Sequence, residues 1–195
     1  MKTDSAHTDD ETLWASMRAG DESAFESLYN RYFQVLFSYG RRLADDATAD
    51  DAIQELFINL WRNRQTVGQA VSVRFYLLRS LRREIVKIRK AGGLAWSDVG
   101  ELGEDLLPVQ VSPESLYAGH EDHAHQTEQL SRWLACLPPR QNEAILLRYY
   151  HNLEYAEVAR ILGIKEQTAR NLVQKALVIL KRVAILLVFN MIQVF

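Results

Sequence analysis

Seven helix-breaking residues fall together between positions 92 and 119: Gly92, Gly93, Gly100, Gly103, Pro108, Pro113 and Gly119. Inside a helix each glycine costs about 1 kcal/mol and each proline about 3 kcal/mol, so no helix of more than a few turns can cross this stretch. On either side of it apolar residues recur at helical spacing. No run shows the sustained alternation, bounded by paired turn signals, that a sheet needs. The predicted fold class is therefore all-α, two small helical domains joined by a flexible linker, which 195 residues can supply. The expected divisions are a disordered N-terminus over 1–12, a helical domain over 13–90, an acidic linker over 91–125, a second helical domain over 126–182 and an apolar C-terminal tail over 183–195.

The net charge of −2 conceals an uneven distribution. Residues 1–90 carry 14 Lys/Arg and 13 Asp/Glu, residues 91–131 carry no Lys/Arg and 8 acids, and residues 132–195 carry 9 and 4. A weakly and a clearly basic block thus flank an acidic middle. Within the first block Arg74, Arg79, Arg82, Arg83, Lys87, Arg89 and Lys90 stand against Glu84 alone, a footprint suited to a row of phosphates.

Capping residues place the helices. Asp21 or Ser23 can start one through FESLYNRYFQVLFSYGRRLA, the stretch from Asp45 to Asp51 supplies turn and cap for AIQELFINLWRNR, and a third runs from Val73 to Lys90. In the second block helices are expected over 126–136, from Pro138–Pro139 to Tyr150, over 154–162 and from Lys165 onward, with Gly163 as a stop. On the third helix Leu77, Leu78, Leu81, Ile85 and Ile88 form a buried stripe, opposite Tyr76, Arg79, Arg83 and Lys90.

Residues 153–182, LEYAEVARILGIKEQTARNLVQKALVILKR, carry the strongest local signal. Ala169, Leu172, Val173, Ala176, Leu177 and Leu180 make one apolar stripe, and Gln167, Arg170, Asn171 and Gln174 fall on the opposite face. Such side chains near a helix N-terminus can bond base edges in the major groove, Arg to guanine and Asn or Gln to adenine. Lys165, Lys175, Lys181 and Arg182 flank them as phosphate partners. Ala159, Gly163 and Ala169 are small where two helices must cross at a tight turn, so the segment reads as a helix-turn-helix.

From about Leu13 to Arg182 the chain resembles the extracytoplasmic-function (ECF) sigma factors of the sigma-70 family. DAIQELFINLW matches the family pattern D-x-x-Q-E-x-F-x-x-L-W through Asp51, Gln54, Glu55, Phe57, Leu60 and Trp61, and LPPRQNEAILLRYYHNLEYAEVARILGIKEQTARNLVQKAL resembles its region-four helix-turn-helix. The resemblance implies that Asp51, Gln54, Glu55 and Ile58 dock on core RNA polymerase. It implies that the third helix and the loop before it, NRQTVGQAVSVRF, hold the melted minus-ten strand through Arg74, Tyr76, Arg79, Arg82, Arg83, Lys87 and Lys90. It further implies that Lys165, Gln167, Thr168, Arg170, Asn171, Gln174 and Lys175 read the minus-thirty-five duplex. Where the family usually carries Asn and often Asp, this chain has Arg83 and Lys87, which strengthens phosphate binding at the expense of base preference. The variant at Thr168 to Ala176 is similar to that of a Bacteroidota-like branch. Implied partners are core RNA polymerase, promoter DNA and an anti-sigma factor. The rival readings are a stand-alone DNA-binding regulator and a protein-binding helical module.

Other signals carry less. His120, His123 and His125 lie in the linker without a second ligand cluster, and Asp50, Asp51 and Glu55 lack the further carboxylates or lysine of a nuclease centre, so no metal, cofactor or catalytic residue is expected. Cys136 is expected in the core. The start MKTDSAHTDDET lacks the order of a secretory signal, and the thirteen-residue tail VAILLVFNMIQVF is too short to span a bilayer, which fits a cytoplasmic protein without membrane insertion. The tail is expected to fold back on its own domain; the alternative is a docking surface for an anti-sigma protein or the polymerase flap.

Overall fold

The computed structural model of the protein describes residues 9–91 and 133–193, with backbone alone over 183–193. All described elements are helical, and the chain divides into two compact units between Trp96 and Ser97. The linker beyond residue 91, its histidines and the helix start expected at 126–132 lie outside the described residues.

The first unit contains α1 (Asp10–Arg18), α2 (Glu22–Gly40), α3 (Asp46–Arg62) and α4 (Val73–Ala91). Each start has a local cause. Asp9 accepts from the Glu11 amide, Asp21 from those of Ser23 and Ala24, and Asp45 from that of Thr48, while the Phe75 amide donates to Ser72 Oγ. The Ser23 hydroxyl, and after it the amides of Ala24 and Ser23, hold the Asp21 carboxyl below its ordinary pKa. The Thr48 amide and then its hydroxyl do the same at Asp45. α1 corrects the expectation of a disordered stretch to residue 12, because Asp9 caps a helix that buries Leu13, Trp14 and Met17.

Leu28 and Leu36 of α2, Ile53 of α3 and Leu77, Leu78, Leu81 and Ile85 of α4 are fully buried, each contributing about 1.5–3 kcal/mol. A side chain at Gly40 would bring its Cβ to 3.0 Å from Ala49 Cβ, tighter than an ordinary contact, so the glycine eases the close approach of α2 and α3. Ile88, one turn beyond Ile85, is half-buried rather than part of the closed stripe, since the core ends near there.

The second unit contains α5 (Pro139–Ile145), a π-helical turn (Leu146–Tyr150), α6 (Tyr155–Leu162) and α7 (Glu166–Gln193). Pro139 starts α5, where its missing N–H costs nothing. Gly163 ends α6 at φ 69°, a left-handed conformation natural to glycine, and the Ile164 amide returns to the Ala159 carbonyl. Leu134, Leu137, Ile145, Leu146 and Ala176 pack together, with Ile179 and Leu180 against them. Three expectations change. Cys136 is exposed, because Leu134 and Leu137 on either side of it take the core positions before Pro138. Leu177 is 42% exposed, since Ala169, Val173 and Ala176 carry the contact and position 177 lies about 100° past Ala176 around the helix. The tail does not fold back: α7 continues without a break through Gln193. Among the described residues no helix is long and apolar enough to cross a membrane.

Candidate nucleic-acid interface

The residues expected to face DNA, Lys165 just before α7 and Gln167, Thr168, Arg170, Asn171, Gln174 and Lys175 on it, are all exposed, while Ala169, Val173 and Ala176 are buried behind them. The face is held in shape by its own bonds. Gln167 Nε2 donates to Asn171 Oδ1 at 3.1 Å, and Arg170 pairs with Glu166 at 2.5 Å. The Arg170 guanidinium also lies 4.4 Å from the centroid of Tyr155, the first residue of α6. Arg148, from the π-helical turn, lies 4.9 Å from the same ring and donates to the Leu153 carbonyl at 2.9 Å. Tyr155 is therefore approached by two cations, and its ring and Glu166 together restrain Arg170. Glu166 was legible as an i,i+4 partner of Arg170; Tyr155 was not, because only the turn between the helices brings it near. Both restraints are weak, an exposed ion pair of about 0–1 kcal/mol and a cation–π contact of about 0.5–1 kcal/mol, so a guanine edge can compete for the guanidinium.

On α4 the expected phosphate contacts divide. Arg74, Arg83, Lys87 and Lys90 are exposed, with Lys87 3.2 Å from Glu84, whereas Arg79 and Arg82 are half-buried. Arg89 Nη1 donates to the Leu43 carbonyl at 2.6 Å and so ties α4 to the turn between α2 and α3. Tyr76 does not stand out in solvent as expected. Its ring meets Trp14 of α1 edge-on, 5.0 Å between centroids and 65° between planes, because α1 covers that side of α4.

On α3 Asp51, Gln54 and Ile58 are exposed and Glu55 is half-buried, all four on one side. Glu55 Oε1 accepts from Asn59 at 2.9 Å, and Gln54 donates to Asp50 at 2.9 Å. Beside them Phe25 and Tyr29 of α2 meet Trp61 and Phe57 of α3 at 5.0 and 4.9 Å between ring centroids. These rings and Ile58 line an open groove of about 580 Å³ whose rim carries the acid Glu22, the amide Gln54 and the cation Arg62. The sequence showed the α3 half of this groove and not the α2 half. Among the described residues no three His, Cys, Asp or Glu are grouped to hold a metal ion.

A helix-turn-helix in one unit and a cationic helix beside an apolar docking groove in the other define a nucleic-acid-binding protein with a protein partner. Residues 25–92 match the model of Sigma-70 region 2, and residues 127–180 match that of Sigma-70, region 4; together they cover more than half of the chain. The chain belongs to the sigma-70 family, in its ECF group. Among curated relatives it is 27% identical over 155 residues to the ECF RNA polymerase sigma factor SigL of Mycobacterium tuberculosis, covering 78% of this chain and 84% of SigL. It is 25% identical over 175 residues to the ECF RNA polymerase sigma factor SigK of Mycobacterium bovis, covering 87% and 90%. Its fold is similar to that of CnrH, solved in complex with the cytosolic domain of CnrY, with TM-score 0.59, 16% identity and coverage of 90% of this chain and 96% of CnrH. It is also similar to the sigma factor RpoE of Bartonella quintana, solved with the anti-sigma factor NepR, with TM-score 0.56, 20% identity and coverage of 81% and 94%.

Proposed function

We propose that this sigma factor docks on core RNA polymerase through Asp51, Gln54, Glu55 and Ile58, holds the melted minus-ten strand along α4, and reads the minus-thirty-five duplex with the exposed face of α7. The observation that carries the reading is the presence of both sigma regions in order on one chain, each with an exposed face suited to its role. Acidic and amide groups beside an apolar groove suit a basic, amphipathic partner helix. Exposed cations along α4 suit a strand's phosphates, and the amide and arginine face of α7 suits base edges. The linker over 91–125, with 7 acids and no Lys/Arg, fits a basic channel within the polymerase. The chain acts by binding alone, in the cytoplasm, and does no covalent chemistry.

An anti-sigma factor is the proposed regulator, by analogy with RpoE, which was solved with one. The Bacteroidota-like placement rests on Thr168 to Ala176 alone, and the two curated relatives described above are mycobacterial.

Adding the purified chain to core polymerase should yield transcripts from defined start sites. A stand-alone regulator would instead shift duplex DNA without polymerase. Equal transcription from the same starts without the chain would refute the reading.

A further inference from the structure

The loop over residues 63–72, between α3 and α4, is wet: Gln65, Thr66, Gly68, Gln69 and Val71 are exposed, Val71 to 98%. Its ends are held locally. The amides of Thr66 and Val67 and the Thr66 hydroxyl all donate to the Asn63 carbonyl, and Ser72 caps α4. The middle is held from elsewhere: Trp14 Nε1 of α1 donates to the Gly68 carbonyl at 3.1 Å. The same indole, 2% exposed, packs edge-on against Tyr76 in the first turn of α4. One side chain thus fixes both the tip of the loop and the ring that begins the cationic helix.

α1 is itself anchored. Asp10 pairs with Arg31 of α2 at 2.5 Å and accepts from the Tyr32 hydroxyl. The turn after α1 passes through Gly20 at φ 99°, where a Cβ would lie 3.9 Å from Arg64 Nε at the start of the loop. The loop is therefore braced by a helix outside the matched region-2 segment, which begins at residue 25.

We propose that Trp14 is a positioning residue for strand capture, fixing the 63–72 loop and Tyr76 in the geometry that receives an unpaired base. This rests on the assignment of α4 and its loop to the minus-ten strand. A loop already held in its bound shape loses less conformational freedom when the strand arrives, so the brace acts on affinity and on base preference together. A residue that served folding alone would change neither in a folded variant.

The test uses the full chain bound to core polymerase and a pool of non-template-strand oligonucleotides randomised through the minus-ten segment. Trp14→Phe keeps an aromatic ring against Tyr76 and removes the N–H donor. The expected result is an affinity for the selected strands lower by about three- to tenfold, the scale of one hydrogen bond, with a flattened base preference. Core affinity and binding of minus-thirty-five duplex should not change. Should Trp14→Phe fail to fold, β-(3-benzothienyl)alanine at position 14 keeps the bicyclic shape with sulfur in place of the N–H. Wild-type affinity and preference in a folded variant without the donor would overturn the brace. If the wild-type complex selects no strand from the pool, the minus-ten assignment falls and the brace falls with it.

Discussion

Glu55→Lys should abolish capture of core RNA polymerase and leave the N-terminal unit folded. Glu55 is half-buried on the proposed docking side of α3, and its one described bond, accepted from Asn59, runs along the same helix. A lysine there can run its stem over the surface and put its ammonium in water, so the fold loses little. At the docked interface the same change replaces an acid with a cation against a basic partner, which costs about 2–5 kcal/mol when the pair is desolvated. Trp61→Ala is the contrasting variant. Its ring packs on Phe25 at 5.0 Å and under Arg64 at 4.2 Å, so truncation should cost about 2–4 kcal/mol of stability and loosen the unit itself. A pull-down with core polymerase, paired with thermal melting, separates the two. Glu55→Lys chain that melts normally and binds core as well as wild type would remove this face from the interface.

Arg170→Ala should relax base preference at one minus-thirty-five position and weaken the matched promoter by about 1–3 kcal/mol. The structure sharpens the expectation. In the free chain the guanidinium rests on Tyr155 and against Glu166, so Tyr155→Leu, which removes the ring under it, should weaken the same position by a smaller factor without moving the others. Lys175→Ala, by contrast, should weaken all promoters alike if its contact is to phosphate. Promoter selection from a library, read position by position, distinguishes these patterns. An unchanged profile for Arg170→Ala would take it out of the reading face.

The helix-turn-helix was legible because each signal it needs lies within a few residues of the next: a stripe at helical spacing, a glycine where the chain must turn left-handed, small residues at the crossing. The exposed faces of α3 and α7 followed from the same periodicity. What stayed hidden was non-local. Nothing within residues 1–20 shows that Trp14 will meet Gly68 and Tyr76, or that Asp10 will meet Tyr32, and without those contacts an acidic, polar start reads as disorder. Periodicity also overstated the buried stripes. It gave Ile88 the direction of the core but not the point at which that core ends, it drew the α7 stripe wide enough to take in Leu177, and it could not show that Leu134 and Leu137 leave no inward place for Cys136.

The bond from Arg89 to the Leu43 carbonyl bears on how strand binding responds to ionic strength. A cation bound to the backbone of its own fold releases no counterion from a nucleic acid. Arg79 and Arg82 are half-buried as well, so the exposed cations on α4 are Arg74, Arg83, Lys87 and Lys90, four of the seven counted between residues 74 and 90 of the sequence. With each phosphate neutralised on a single strand contributing about 0.7 to the slope of log affinity against log salt concentration, the helix supports a slope of magnitude about 3 rather than about 5. If α4 holds the minus-ten strand as proposed, strand capture should weaken less steeply with rising potassium than it would for a helix using all seven charges.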